Sequence, residues 1–464
     1  MNNRCRIQTA ALSLGLAALI GLPAKSAAIP YFARKYKVTC ARCHVGFPKL
    51  NTFGKNFQLH GYQQPGDKNV GKITTKEDPN LSIPEQVPLA ILIENQTALD
   101  KWAGTHSPIM FDSPFVFHIF AADSLAQDIG IFAELATSGG VTDVGKVSLS
   151  FNNLLNQPIN FQVGNLDTME HGVTEHDLFG RSGYAVQDVA LGGYQLSSQH
   201  EGIRLFGTIG SPITPALLHG KTDETPTPPA TPDQLLGLHG PHARLQGTQK
   251  GKTEGDDEMN AADPFDSMKG LLWEVGLYNS NSQGAGNGNG TALDAQDVTG
   301  RLNAYFNNDS FIGVSAYHGR TMIPVVDPTT TLTSYNANTY TMGGVDFSVK
   351  LGNPFEKTKG VMQKPFEILG SYLTGTASSP NGDGVKTNWN GYFVEGDYVL
   401  GQKSMMYVRY DQINSSSMPS LELQHLTGNY TYYLRTNFYV GVEYTQDLKN
   451  TKNNALGLVF NFAY

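Results

Sequence analysis

The run Thr39-Cys40-Ala41-Arg42-Cys43-His44 carries the residues best suited to chemistry. Two thiols three positions apart, followed at once by an imidazole, can form thioethers to both vinyl groups of one porphyrin and present His44 to its iron. A thioredoxin-like pair would expect a βαβ setting, which the flanks lack. Half of a zinc site would need more thiolates or a matching histidine pair. The only other cysteine, Cys5, lies in a segment expected to be removed. The spacing therefore predicts one covalently bound haem c, attached at Cys40 and Cys43 with His44 as axial ligand.

The elements that must hold such a group follow in chain order. Arg4 and Arg6 precede an apolar run from Ala10 to Leu22, and Ser26-Ala27-Ala28 offers small residues for cleavage, so residues 1–28 read as an export signal. The run is short of the roughly 20 residues that a spanning helix needs. Loss of Arg4, Arg6 and Lys25 takes the formal net charge from −8 to −11. Such a charge gives no reason to expect a nucleic-acid partner.

Residues 29–66 form the expected haem segment, with short helices suggested by apolar and aromatic residues at mixed spacing. Chains below roughly 40 residues seldom bury a sufficient core alone, so this one must take its walls from the rest of the protein. It carries Arg34, Lys35, Lys37, Arg42, Lys49 and Lys55 with no carboxylate before Asp67. That asymmetry in an acidic protein suggests pairing with haem propionates and an acidic enclosure, with a solvated basic face as the plain alternative.

After a linker at 67–86, residues 87–464 alternate with period two between turn residues. Val345, Phe347, Val349 and Leu351 share one face, and Asp346, Ser348 and Lys350 the other. Ile159, Phe161 and Val163 oppose Asn160 and Gln162; Phe438, Val440, Val442 and Tyr444 oppose Glu443 and Thr445; Tyr392, Val394, Tyr398 and Leu400 oppose Glu395 and Asp397. Such strands build either a soluble sandwich with the apolar face inward or a membrane barrel with the faces exchanged. Export, a charged fraction of 16% and strand ends rich in Tyr and Phe favour the barrel. So does the last strand, in which Leu456, Leu458, Phe460, Phe462 and Tyr464 alternate with Gly457, Val459, Asn461 and Ala463.

The fold class expected is all-β: an integral outer-membrane antiparallel barrel of about 16 strands, with the small α-helical haem segment in its lumen. Strand starts are expected near 87, 113, 129, 146, 159, 201, 270, 298, 310, 340, 365, 389, 404, 424, 437 and 455. Long gaps, chiefly Ser211 to Met268 and one near Asn279 to Asn289, are expected as loops on the outer side. No nucleotide-binding glycine loop and no hydrolytic triad is evident, so no catalytic side chain is assigned and haem is the only chemistry in view.

The block Phe32-Ala33-Arg34-Lys35-Tyr36, Cys40 to His44, Phe47-Pro48-Lys49-Leu50-Asn51, Phe53-Gly54 and His60-Gly61-Tyr62, followed by a barrel, resembles the fused outer-membrane cytochrome–porins of iron-oxidising bacteria. The order haem then barrel covers the whole exported chain. The resemblance implies an Fe(II):cytochrome c oxidoreductase activity: extracellular Fe(II) is oxidised at a single haem, and the electron passes to a periplasmic c-type cytochrome or cupredoxin. Outer-membrane lipid would surround it. The alternatives are a porin with a haem-bearing plug, or a cytochrome–porin serving another extracellular donor or acceptor.

Three details stay open at this level. His60 is the only other histidine of the haem segment and the first candidate for the second axial ligand; a barrel methionine such as Met110 or Met169 would instead raise the potential. The basic segment is expected to meet lumen acids Glu274, Asp346, Glu395, Asp397 and Glu443. Glu170-His171 with Glu175-His176-Asp177, and the cluster Glu254, Asp256, Asp257 and Glu258, are oxygen-rich enough to attract Fe(II), or are simply solvated loop.

Overall fold

Period-two alternation becomes strand almost everywhere it occurs. The computed structural model describes residues 30–64, 72–74, 82–84, 86–98, 110–111, 116–138, 141–174, 183–190, 195–211, 213, 264–279, 296–306, 310–326, 333–351, 357–358, 361–362, 366–401, 403–435 and 437–463. The expected leader at 1–28, Tyr464, the Glu175-His176-Asp177 run and the 254–258 acidic cluster lie outside the described residues.

The wall comprises β1 (Leu89–Ala98), β2 (Val116–Ala126), β3 (Ile129–Ser138), β4 (Val141–Phe151), β5 (Ile159–Asp167), β6 (Gln199–Ile209), β7 (Gly270–Asn279) and β8 (Gln296–Tyr305). It continues with β9 (Phe311–Val326), β10 (Thr333–Leu351), β11 (Phe366–Ala377), β12 (Thr387–Gly401), β13 (Ser404–Asn414), β14 (Leu423–Arg435), β15 (Phe438–Asp447) and β16 (Ala455–Ala463). Each pairs antiparallel with the next, and β16 closes on β1 with Phe462 opposite Ile93. A two-residue ladder at Met110–Phe111 adds to β1 without crossing. The result is a closed antiparallel barrel of 16 crossing strands, as the alternation predicts.

Which face is wet separates a sandwich from a membrane barrel. Asp346 is 1% exposed and its neighbour Val345 is 45%; Glu395 is 0% exposed and Val394 is 43%. Arg204, Glu274, Arg301 and Arg409 are likewise buried inside, whereas Val275, Leu302, Val314 and Phe460 face out. An apolar exterior costs about 25 cal/mol per Å² in water and nothing in hydrocarbon. Closure satisfies every strand edge, as a bilayer requires. The wall is therefore that of a porin-like outer-membrane barrel.

Strand parity divides the connections between two ends. The β2–β3, β12–β13 and β14–β15 links, residues 127–128, 402–403 and 436–437, share one end with the entry to β1 and the end of β16. Links 99–115, 168–198, 378–386, 415–422 and 448–454 occupy the other. Short turns mark the periplasmic end of outer-membrane barrels. Parity corrects one expectation: the long Ser211 to Met268 connection joins β6 to β7 at the short-turn end, not among the outer loops. The length of one connection does not fix its side; the number of preceding crossings groups it with the other turns at its end.

Part of the lumen is filled by the β5–β6 link. Its Met169, Val173, Tyr184, Val186, Val189 and Leu196 form one buried cluster with wall residues including Tyr317, Tyr340 and Trp389. Tyr184 stacks on Phe393 with ring centroids 4.0 Å apart.

Candidate haem site

The N-terminal segment folds as α1 (Pro30–Tyr36), a 3₁₀ turn at Cys40–Arg42, a small hairpin pairing His44–Gly46 with Lys49–Leu50, and α2 (Thr52–Leu59). Asn51 joins these pieces. Its side-chain oxygen accepts the Gly54 backbone N–H at 2.9 Å, capping α2. Its amide donates to the carbonyls of Ala41 at 3.1 Å and Arg42 at 3.0 Å, in the turn between the cysteines. Gly54 faces the same turn so closely that a Cβ there would collide with the Cys43 carbonyl oxygen.

The segment lies against the inside of the wall. Phe32 stacks on Tyr62 at 5.4 Å and meets Phe57 edge-on at 5.0 Å, while Tyr62 stacks on Phe132 of β3 at 5.5 Å. The Gly61 carbonyl sits where a Cβ on Gly130 would be. Three basic side chains hold it at the short-turn end through four ion pairs: Lys35 with Asp123 at 2.8 Å, Arg42 with Asp266 at 2.7 Å, and Lys49 with both Glu367, at 2.7 Å, and Asp397.

This docking is acidic but differs in partners from the sequence expectation. Asp397 does take Lys49. Glu274 instead pairs with His171 and Arg204, Asp346 with Arg301, and Glu395 with Arg409, while Glu443 accepts from Tyr407. Arg204 of β6, Arg301 of β8 and Arg409 of β13 already pair with three of these five acids.

Cys40, Cys43 and His44 line one cavity of about 350 Å³ between the segment and the wall. Phe32, Phe57, Phe120, Phe132, Leu92 and Val459 give it an aromatic and aliphatic surface. His44 Nδ1 is 3.0 Å from the Pro48 carbonyl oxygen, which can only accept, so the proton sits on Nδ1 and the lone pair on Nε2. That is the tautomer a metal-ligating histidine needs. Burial pushes the free Cys43 thiol up to about 12 against the pull of Arg42. The donor set, the apolar walls and the histidine tautomer fit a porphyrin held through two thioethers.

His60 is elsewhere. It caps the end of α2, its ring stacks on Phe265 at 5.3 Å, and its Nδ1 donates to the Asn56 carbonyl at 2.7 Å. It is absent from the lining of the cavity that His44 shares, and burial lowers it to about 4, partly opposed by the Asn56 carbonyl and Asp128. Met169 is also turned away, its sulfur accepting the Tyr317 hydroxyl at 2.6 Å; the side chain of Met110 lies outside the described residues.

The structure brings to the cavity three residues that the sequence reading did not single out. His118 of β2, Glu94 of β1 and Glu134 of β3 line it together. Their register places Leu92 and Ala136 directly opposite His118 and the two glutamates diagonally across from it on the same face. His118 Nδ1 is 2.7 Å from Glu134 and Nε2 3.3 Å from Glu94. A lone histidine in VFHIFAADSLA reads as strand filler until the pairing of three strands is known.

Of the possible Fe(II)-contact residues, Glu170 is committed to Lys146 and Arg204. Burial works against its ionisation, yet these two cations hold its carboxyl well below the usual carboxylate range. His171 is buried against Glu274 at 2.5 Å, and burial lowers its pKa. Neither presents an open ligand. Among the described residues no group of three or more His, Cys, Asp or Glu has the geometry to hold a separate metal ion.

No protein-family model and no curated protein sequence matches the chain. Solved structures similar to it include outer-membrane proteins and porins. A loop L8 deletion mutant of OmpT, an outer membrane protein of Vibrio cholerae, aligns at 10% identity over 81% of this chain and 98% of its own, with a TM-score of 0.49. The outer membrane channel DcaP of Acinetobacter baumannii aligns at 11% identity over 85% of this chain and 100% of its own, with a TM-score of 0.47. An anion-selective porin from Comamonas acidovorans aligns at 10% identity, covering 81% and 98%, with a TM-score of 0.46.

Proposed function

We propose that this chain is an outer-membrane c-type cytochrome that oxidises extracellular Fe(II) and delivers the electron to a periplasmic c-type cytochrome or cupredoxin. The observation that carries this reading is the single cavity lined both by Cys40, Cys43 and His44 and by the inner wall of a membrane barrel. The Fe(II) donor comes from the resemblance of residues 32–62 to the iron-oxidising cytochrome–porins.

Bound there, haem supplies a one-electron iron couple. The chain's own residues do the rest. Cys40 and Cys43 would anchor the porphyrin and His44 would ligate its iron, with Pro48 fixing the imidazole orientation. Phe32, Phe57, Phe120 and Phe132 would give the group apolar walls. Lys35 and Lys49 tie the segment to Asp123, Glu367 and Asp397 at the short-turn end of the wall. The net reaction balances on one electron: Fe(II) outside becomes Fe(III), and one oxidised acceptor in the periplasm is reduced, with no proton or atom transferred.

Anaerobic stopped-flow mixing of the purified oxidised protein with Fe(II) tests the donor. Rapid appearance of reduced haem bands is expected. Bands that form with dithionite but not with Fe(II) would assign the protein to another donor or to outward transfer. A second reading, a diffusion porin plugged by its N-terminal segment, draws on the charged polar lumen, and large steady ion conductance would select it.

A further inference from the structure

We infer that His118, on the barrel wall, is the second axial ligand of the haem iron; this rests on the haem reading above. The cavity supplies the elimination. Its described lining contains two imidazoles, His44 and His118, and no methionine. Lys146, the one lysine on it, is taken by Glu170 and by Asp167 at 3.5 Å. Tyr36 donates its hydroxyl to the Tyr62 carbonyl at 3.2 Å, and Tyr439 is bonded to Asn461. His60 and Met169 are held away from the cavity. Met405 is buried beside Tyr433, whose hydroxyl donates to its sulfur at 3.7 Å, and is also absent from the lining.

The Nδ1 side of His118 resembles that of His44. Each has Nδ1 engaged by an oxygen that can only accept when ionised or carbonyl: Pro48 for His44 and Glu134 for His118. A carboxylate on the far nitrogen fixes ring and tautomer and makes Nε2 a better metal donor. The Nε2 contact to Glu94 is the longer of the two, at 3.3 Å. Without a metal, an imidazole held between Glu94 and Glu134 is a plain ion pair; that is the rival assignment.

Two consequences follow. A ligand from β2 ties the covalently attached segment to the wall through the iron, so docking and ligation form together. Histidine in place of methionine also lowers the potential, which suits the site to a donor couple of lower potential than ferrous iron in acid.

The test uses full-length, haem-loaded protein in detergent, compared with His118→Ala, His118→Met and His60→Ala, with barrel folding checked by heat-modifiable gel mobility. Covalent haem is first scored by intact mass; its absence from the wild type would defeat the underlying haem reading. With haem present, a low-spin six-coordinate ferric spectrum is expected for the wild type and for His60→Ala. His118→Ala should become high-spin and return to low-spin with added imidazole, and His118→Met should show a raised potential. A His118→Ala protein that stays low-spin, with unchanged CO binding in the ferrous state, would overturn the assignment and leave the ion pair. So would a high-spin wild type.

Discussion

Lys49, five residues past His44, is paired at 2.7 Å with Glu367 of β11 and also with Asp397 of β12, and its side chain is 3% exposed. Removing one partner of a buried pair leaves uncompensated charge and costs ~3–5 kcal/mol. Lys49→Met is therefore expected to loosen the N-terminal segment, seen as faster proteolysis between residues 30 and 64 while the barrel keeps its heat-modifiable mobility. Glu274→Gln, whose partners are Arg204 and His171, should leave that proteolysis unchanged. Equal protection of both variants would remove Lys49 from the docking.

Gly54 has backbone nearest behind it, with the Leu50 side chain farther off. Adding Cβ meets the Cys43 carbonyl oxygen, so the turn between the cysteines must shift. Overpacking of this kind costs ~1–3 kcal/mol. Gly54→Ala is expected to lower haem incorporation per mole of folded barrel, measured by absorbance against protein. Wild-type incorporation would show that the turn can move without consequence.

His60 gives a pH dependence with a definite sign. Its folded value, about 4, lies below the ordinary 6.5 because the ring is buried, so the unfolded chain binds the extra proton first. Its contribution is complete above pH 6.5 and is lost as pH falls from 6.5 towards 4, amounting to ~3 kcal/mol. Thermal melts in detergent at pH 7.5 and 4.5 should show a smaller drop for His60→Gln than for wild type. Identical drops would place His60 in water.

The inward β5–β6 link and the docked N-terminal segment both occupy the lumen. Planar-bilayer recordings are expected to show small, rarely open conductance, rising in Lys49→Met as the segment loosens. Large steady openings in the wild type would favour the diffusion-porin reading.

Much of the fold was legible because a barrel wall is local information repeated. Expected starts near 129, 159, 270, 404 and 455 coincide with Ile129, Ile159, Gly270, Ser404 and Ala455, and Val345/Asp346 or Val394/Glu395 alternate as read. Of the site, Cys40, Cys43 and His44 announce themselves by spacing. The wall side does not. Glu94, His118 and Glu134 meet through the register of three strands, and Asp123, Asp266 and Glu367 find Lys35, Arg42 and Lys49 across long loops whose side only parity reveals. Nearness in sequence favoured His60, but α2 carries it to Phe265 instead.

The most direct measurement is the state of Cys40 and Cys43 in protein purified from outer membranes of a host that matures c-type cytochromes. Intact mass and maleimide titration in denaturant should show one haem added and neither thiol reactive. Two reactive thiols at an unmodified mass would contradict covalent haem at this site, and electron transfer with it, leaving a porin-like barrel with an N-terminal plug.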